Sequence, residues 1–415
     1  MKSILGNYHG AVADILSQKR YPMSFLSDKY GARDVEPWRE EARTKVRKLL
    51  SFNPPDVPLA PETHDRYVKD GLVYKRVSYA QPYGPRTEGI LMYPEGADRG
   101  AGGDGGGGRG GADGGAGGGG ADGGADGGRV EKLPGVLALH DHGGFKYYGK
   151  EKITDPKDKP AIMRAYQEHY YGDRAWASEL AKRGYIVFVP DVFLWGSRKM
   201  RIEDVKDEYV EETAKYPAGG EAHVLAYNAF ASKHEDIIAK SLLEAGTTWP
   251  GMMLYDDMRA VDFLLSQPQT DAGNIGCGGL SGGGLRTVFL SAMDERVKCG
   301  VCVGFMSTAA EFALYKTFTH TWMMYLPGLT NLMDFPDLYS LHGRKPTMTL
   351  YDEDDDLFTP EGQHGADCRL RAIYEKMGVP EMYEGHFYPG PHKFDIEMQQ
   401  TAFVFYDKWM KAERG

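Results

Sequence analysis

Residues 274–294 read NIGCGGLSGGGLRTVFLSAMD, a short apolar run that passes through Gly279-Leu280-Ser281-Gly282-Gly283 directly into residues at helical spacing. The spacing predicts a strand over 274–281 and a helix immediately after it. A serine at such a junction sits on a turn so tight that the positions two before and two after it cannot carry bulky side chains, and both are glycine here. Gly-x-Ser-x-Gly alone carries little weight. With 54 glycines in 415 residues, roughly one serine in sixty would be flanked this way by chance. The strand-to-helix context gives the motif its meaning. Ser281 is then a candidate nucleophile raised above a sheet, at the positive end of the following helix.

Outward from this point, apolar runs alternate with amphipathic segments. Strands are predicted at 135–142, 186–192, 297–305, 347–353 and 382–390, and helices at 173–185, 253–267, 361–378 and the C-terminus. The alternation implies an α/β fold with a mostly parallel central sheet and helices on both faces. Two further strand-like runs, 72–80 and 89–94, precede the series. Residues 1–65 are polar and helical in pattern, with Trp38, Ala42, Val46 and Leu49 on one stripe after Pro37. The organisation is therefore an N-terminal helical extension, 1–65, and a main domain, 66–415. Between Glu95 and Val130 the chain is built of Gly, Ala, Asp and Arg with no apolar side chain larger than Ala. Such a tract cannot bury surface against its ordering entropy and is expected to be a flexible loop insertion, 95–130.

A nucleophilic serine needs a base, and the base needs an acid to orient it. In a sheet of this kind they follow the serine in the order acid, then histidine, each after a later strand. His392, in Gly390-Pro391-His392-Lys393, falls after the last predicted strand and before the last helix. His386 lies inside that strand, His364 lies in a helix, and His320 and His342 precede the acid. The acid comes from Asp352-Glu353-Asp354-Asp355-Asp356, directly after strand 347–353. Asp355 is chosen because it opens Asp-x-Leu-Phe, whose apolar residues can anchor the turn; Asp352 and Asp356 stay open. The oxyanion donors are expected to be the backbone N–H groups of Gly282 and, in the loop after strand 135–142, of Gly144, with Phe145 N–H as the next candidate.

Specificity is expected from two irregular regions, 193–250 and 305–342, with Trp195, Phe305 and Phe145 as substrate-pocket residues. Arg286, one turn after the serine, reads as half of a structural ion pair. No metal site is expected. His140-Asp141-His142 is followed by Gly-Gly-Phe-Lys where a binuclear site would need a further Asp-His. Cys299 and Cys302, three apart in an apolar strand, point to opposite faces.

The segments LHDHGGFKYYGKEKI (139–153), GLSGGGLRTVFLSAMDERVKCGVCVGFM (279–306) and YPGPHKF (388–394) resemble the dienelactone-hydrolase-like and acetyl-xylan-esterase-like branch of the α/β-hydrolase superfamily. The resemblance covers roughly residues 70–412. It implies an α/β-hydrolase fold, a triad of Ser281, Asp355 and His392, and carboxylic-ester hydrolysis without a cofactor. The chain departs from small dienelactone hydrolases in its serine, where those enzymes use cysteine, and in its insertions and N-terminal extension.

A net charge of −10 with no basic cluster argues against a nucleic-acid partner. No apolar run is long enough to span a bilayer, and Gly, Asn, His and Asp interrupt the apolar residues at the N-terminus, unlike a signal peptide. With four cysteines, the expectation is a cytoplasmic protein acting on a small-molecule ester; a homo-oligomer is left open. An amidase or peptidase of the same fold, and a non-catalytic binding protein, are the alternatives.

Overall fold

The computed structural model describes residues 3–98 and 130–411. Nearly all of the glycine-rich tract expected to be a flexible insertion lies outside the described residues. Nine strands form one sheet: β1 Glu62–Lys69, β2 Leu72–Tyr79, β3 Thr87–Pro94, β4 Leu133–Ala138, β5 Ile186–Pro190, β6 Thr270–Leu280, β7 Val297–Val303, β8 Thr347–Asp352 and β9 Tyr383–Tyr388. Their order is β1-β2-β3-β5-β4-β6-β7-β8-β9. The first three strands and β5 pair antiparallel, and from β5 through β9 every pair is parallel. Every residue of β4, β5 and β8 is buried, as in a parallel sheet covered on both faces.

Two apolar cores flank the sheet. One takes helices Val35–Leu50, Trp249–Leu265, Gly282–Met293 and Pro360–Lys376; the other takes Ala161–Tyr171, Trp176–Lys182 and Ile396–Met410. Cys302 belongs to the first core and Cys299 to the second, as their spacing on a strand requires. The first core includes part of the N-terminal extension. Trp38 is fully buried in it and its indole Nε1–H donates to Met23 O at 2.8 Å.

The structure departs from the sequence pattern in several places: region 193–250, read as irregular, carries helices Asp207–Ala214, Glu221–Lys233 and Glu235–Glu244, and helix Ala161–Tyr171 was not expected. β1 begins inside the segment read as helical. Its hairpin to β2 turns through Asp70-Gly71, both at positive φ, the arrangement an Asp-Gly pair favours. β4 stops at Ala138, so residues 139–142 belong to the loop above the sheet rather than to the strand. Helix Trp249–Leu265 starts earlier than periodicity indicated, because the Thr248 side chain caps it by accepting from Gly251 N and Pro250 fits its first turn. Among the described residues, no helix is long and apolar enough to cross a membrane.

Arg286 forms the ion pair expected of it. Its guanidinium donates to both oxygens of Asp257 (2.7 Å for the shortest contact) and to His140 O at 3.2 Å, and both side chains are about 1% exposed. It thereby ties the helix after Ser281 to helix Trp249–Leu265 and to the loop after β4. Removing one member of such a pair leaves a buried charge uncompensated. Arg286→Met is expected to lower unfolding free energy by about 3–5 kcal/mol in urea titration, and Asp257→Leu/Arg286→Met to recover most of it. Equal stability of the single and double variants would contradict this account.

Candidate active site

β6 ends at Leu280, and Ser281 takes φ 57°, ψ −116° before helix Gly282–Met293 begins. That conformation is rare for a residue with a side chain and persists only when its surroundings enforce it. The enforcement comes from the end of β4. A Cβ at Gly279 or Gly283 would lie 2.0 or 2.1 Å from Leu139 O, so the backbone of the turn is pressed against that carbonyl on both sides. Ser281 N–H donates to Val303 O at 2.8 Å and Leu285 N–H to Ser281 O at 2.9 Å, anchoring the turn to β7 and to its own helix.

His392 follows β9, and its Nδ1 lies 2.6 Å from Asp355 Oδ2. The Asp355 side chain is fully buried, and its other oxygen accepts the Leu357 N–H at 2.9 Å. Burial works against the charged form of His392. The hydrogen bond and charge of Asp355 outweigh it, so the imidazole pKa stands above its ordinary value. Gly304, at the end of β7, lies beneath the ring: a Cβ there would come within 3.1 Å of His392 Cε1.

A second carboxyl, Asp352, adjoins this pair. The Asp352, Asp355 and His392 ligand atoms lie within 4.8 Å of one another. Within the trio Asp355 Oδ2 is bonded to the imidazole, and Asp352 Oδ2 accepts the Lys393 N–H at 3.1 Å. Burial pushes the pKa of Asp352 up to about 8, so this carboxyl keeps its proton at neutral pH.

Ser281, Gly282 and His392 open onto a cavity of about 310 Å³. Its apolar wall includes Leu285, Phe305, Met323, Met324 and Phe358. Phe305 is therefore where the sequence placed it. Phe145 and Trp195 are not among the lining residues. Phe145 packs on Tyr148 and Tyr166. Trp195 is buried behind the site between His142 and Trp249, with the Lys146 ammonium 4.7 Å from its ring. Residues of 305–342 supply much of the wall, whereas region 193–250 reaches the site from behind through Glu235.

The loop after β4 differs from expectation in which N–H group is free. Gly144 N–H donates to His142 Nδ1 at 2.9 Å, and Phe145 N–H to His142 O at 3.1 Å. Neither is available to a ligand. The backbone nitrogen of His142 instead adjoins the helix start, 2.8 Å from where a Gly282 Cβ would stand. The Asp141–His142 peptide is trans, and its carbonyl accepts from Lys152 Nζ at 2.9 Å and His140 Nδ1 at 3.0 Å. In a trans peptide the N–H points opposite the carbonyl, so this one is turned away from Lys152 toward Gly282. Among the described residues, neither the His142 nor the Gly282 N–H has a protein acceptor.

Side chains invisible to the sequence pattern hold this loop. Because His142 Nδ1 accepts the Gly144 N–H, its proton is on Nε2, which donates to Glu235 Oε1 at 2.6 Å. Glu235 also pairs with Lys146 and accepts from Thr321 Oγ1 at 2.7 Å. Burial lowers the His142 pKa to about 4, so the ring is neutral. Asp141 accepts from the Tyr166 and Tyr171 hydroxyls and lies 3.3 Å from Lys152 Nζ.

No family model matches the sequence. A Bacillus subtilis (strain 168) protein described as "Putative hydrolase YtaP" is 26% identical over 280 residues, 67% of this chain and 79% of its own. Among solved structures, a "putative acetyl xylan esterase" from Bacteroides fragilis superposes with TM-score 0.64 at 15% identity, covering 92% of this chain and 82% of that one. A "Glucuronoyl Esterase" from Solibacter usitatus gives TM-score 0.53 at 14% identity, with 91% and 92% covered. The chain has the α/β-hydrolase fold. In this fold β6 is the elbow strand, and the loops after β4, β7, β8 and β9 gather at one edge of the sheet.

The elbow contact generates a stability prediction. Gly283→Ala must move either the turn or Leu139, at a cost of about 1–3 kcal/mol. Urea unfolding is the measurement, and a change below a few tenths of a kcal/mol would show that the turn has slack.

Proposed function

We propose that this protein is a serine hydrolase that cleaves carboxylic esters through an acyl-enzyme, with Ser281 as nucleophile, His392 as general base and Asp355 as its orienting acid. The observation that carries the reading is the 2.6 Å contact from His392 Nδ1 to Asp355 on the cavity that Ser281 and Gly282 also line. With its Nδ1–H donating to Asp355, His392 Nε2 is left unprotonated as the base. Ser281 Oγ attacks the carbonyl carbon as its proton passes to Nε2. The oxyanion lies against the N–H groups of Gly282 and His142, the latter replacing Gly144 in the assignment. Collapse expels the alcohol, which takes the proton from His392. Water then repeats the sequence and releases the acid. No step calls on a cofactor.

The apolar wall and modest volume of the cavity favour short acyl groups. Phe318 and Trp322 stand 70% and 37% exposed on the segment whose neighbours Thr319, Thr321 and Met323 line the cavity. Such aromatic faces suit the ring of an acylated sugar. The similar protein named as an acetyl xylan esterase supports a carbohydrate alcohol as well. A cytoplasmic setting belongs to the same proposal, supported by four unpaired cysteines of which three are buried.

Labelling with a fluorophosphonate, beside turnover of p-nitrophenyl acetate, tests the nucleophile. Wild-type protein is expected to label and turn over, and Ser281→Ala to do neither while remaining folded. A folded wild type inert to both reagents would favour a binding protein.

The acid is tested by pH. His392 works as a base only when neutral, so kcat/KM falls as pH drops through its raised pKa. In Asp355→Asn the raising charge is lost while burial remains, so the acidic limb moves to lower pH and the plateau falls by about 10²–10⁴. An unmoved limb would take Asp355 out of the role.

A further inference from the structure

Lys152 is not part of the triad and does not line the cavity, yet its side chain is fully buried directly behind the peptide that offers the second oxyanion donor. Its three ammonium protons have three acceptors, all in the loop after β4: Asp141 O and His142 O, each at 2.9 Å, and Asp141 Oδ2 at 3.3 Å. Two consecutive carbonyls are thus drawn to one side by a single cation. The intervening His142 N–H is forced to the other side, and its dipole is strengthened because the carbonyl of the same amide is polarised.

We propose that Lys152 is a positioning residue for ester hydrolysis, acting through the Asp141–His142 peptide to aim and polarise the His142 N–H at the oxyanion. The inference rests on the acyl-transfer reading above and adds to it a buried cation that never touches substrate. As the tetrahedral intermediate forms, negative charge builds on the far side of this amide. A fixed positive charge behind it stabilises that state more than the neutral ester, so kcat rather than KM should carry the effect.

The surroundings of Lys152 make its charge titratable in an informative range. Asp141 faces it, with the hydroxyls of Tyr166 and Tyr171 on the same carboxylate, and the Tyr166 ring lies 5.2 Å from Nζ. Lys146 and Arg286 add positive charge, and His140, neutral, shares the Asp141 carbonyl. Burial is the largest influence; with the two cations it outweighs the favourable Asp141 and brings the Lys152 pKa down to about 8. Above that pH the cation, and with it the polarisation, is lost, so kcat should fall as pH rises.

The test compares wild type, Lys152→Met and Asp141→Asn/Lys152→Met, the last removing both charges so that no unpaired carboxylate is buried if the single variant fails to fold. With p-nitrophenyl acetate, kcat is expected to drop about 10–100-fold with KM within about threefold, below the full loss of a donor. Affinity for phenylboronic acid, whose tetrahedral adduct places an oxygen in the hole, should fall by the same factor. The alkaline decline of kcat in the wild type should be absent from the variants. A folded variant with kcat within about threefold of wild type, or one that keeps the alkaline decline, overturns the role of Lys152. Wild type that fails to label at Ser281 overturns the acyl-transfer reading instead, so the two failures are distinguishable.

Discussion

The architecture of the site depends on the backbone of Ser281 held at φ 57° against the carbonyl of Leu139. A side-chain-bearing residue does not adopt this conformation unaided, and the strain is supported by the packing of neighbouring strand ends. Leu139 N–H donates to Gly278 O at 2.9 Å, so the chain leaving β4 is bonded to β6 one step before the turn. Gly279 and Gly283 then clasp Leu139 O between them. This crossing delivers His140, Asp141 and His142 over the first turn of the helix, where unpaired N–H groups and the positive end of the helix dipole already point. One steric constraint therefore fixes both the nucleophile and the loop beside it.

The loop so delivered carries only one short 3-10 turn, Lys150–Lys152, and is held by buried charges. Lys146 pairs with Glu235, Lys150 with Asp191 at 2.8 Å and Lys152 with Asp141 at 3.3 Å, each lysine being at most about 6% exposed. Replacing such pairs by apolar groups is often neutral or stabilising, so their presence is weak evidence of a stability role. Their effect here is geometric. Asp191 lies just after β5 and also accepts from the backbone N–H groups of Lys150 and Ser197, each at 2.8 Å. Glu235 begins helix Glu235–Glu244 and accepts a hydroxyl from Thr321, on the segment that lines the cavity. Of three lysines spaced four and two residues apart, two thus tie the loop to other parts of the molecule and the third, Lys152, ties it to itself. A hole whose donors are fixed before substrate arrives needs no reorganisation at the moment of reaction.

How much of this was legible in sequence follows from what each feature depends on. The elbow was readable because glycine spacing, strand pattern and helix pattern coincide within a dozen residues around Ser281. The pairing of His392 with Asp355 was readable because chain order limits the choices, and the Asp-x-Leu turn does bring Leu357 N–H onto the carboxylate. The free N–H of the loop was not readable. Gly144 looked open because glycine is small, but whether an N–H is available depends on where a histidine ring 2.9 Å away is held, and that ring is held by Glu235, 93 residues later. Trp195 was misjudged for a similar reason: closeness to a strand end does not say which side of the loop a ring occupies. β1 carried a usable signal, the Asp70-Gly71 turn, which was obscured by the polar character of an edge strand.

The two carboxyls beside His392 show how environment assigns roles that sequence leaves open. Asp352 and Asp355 are three residues apart in one acidic run, and both are buried against the same imidazole. Asp355 has the imidazole Nδ1 and the Leu357 N–H as partners, one at each oxygen. Asp352 has the Lys393 N–H at one oxygen and, among the described residues, no partner at the other. A carboxylate with an unpartnered buried oxygen is costly to ionise, and like charge from Asp355 adds to the cost, which is why its proton is retained up to about pH 8. The consequence falls on His392. Were both carboxyls charged, the imidazolium would be stabilised twice and would hold its proton further into the pH range where a base is required. With Asp352 holding its proton, Asp355 is the carboxylate bonded to the ring and fixes its tautomer.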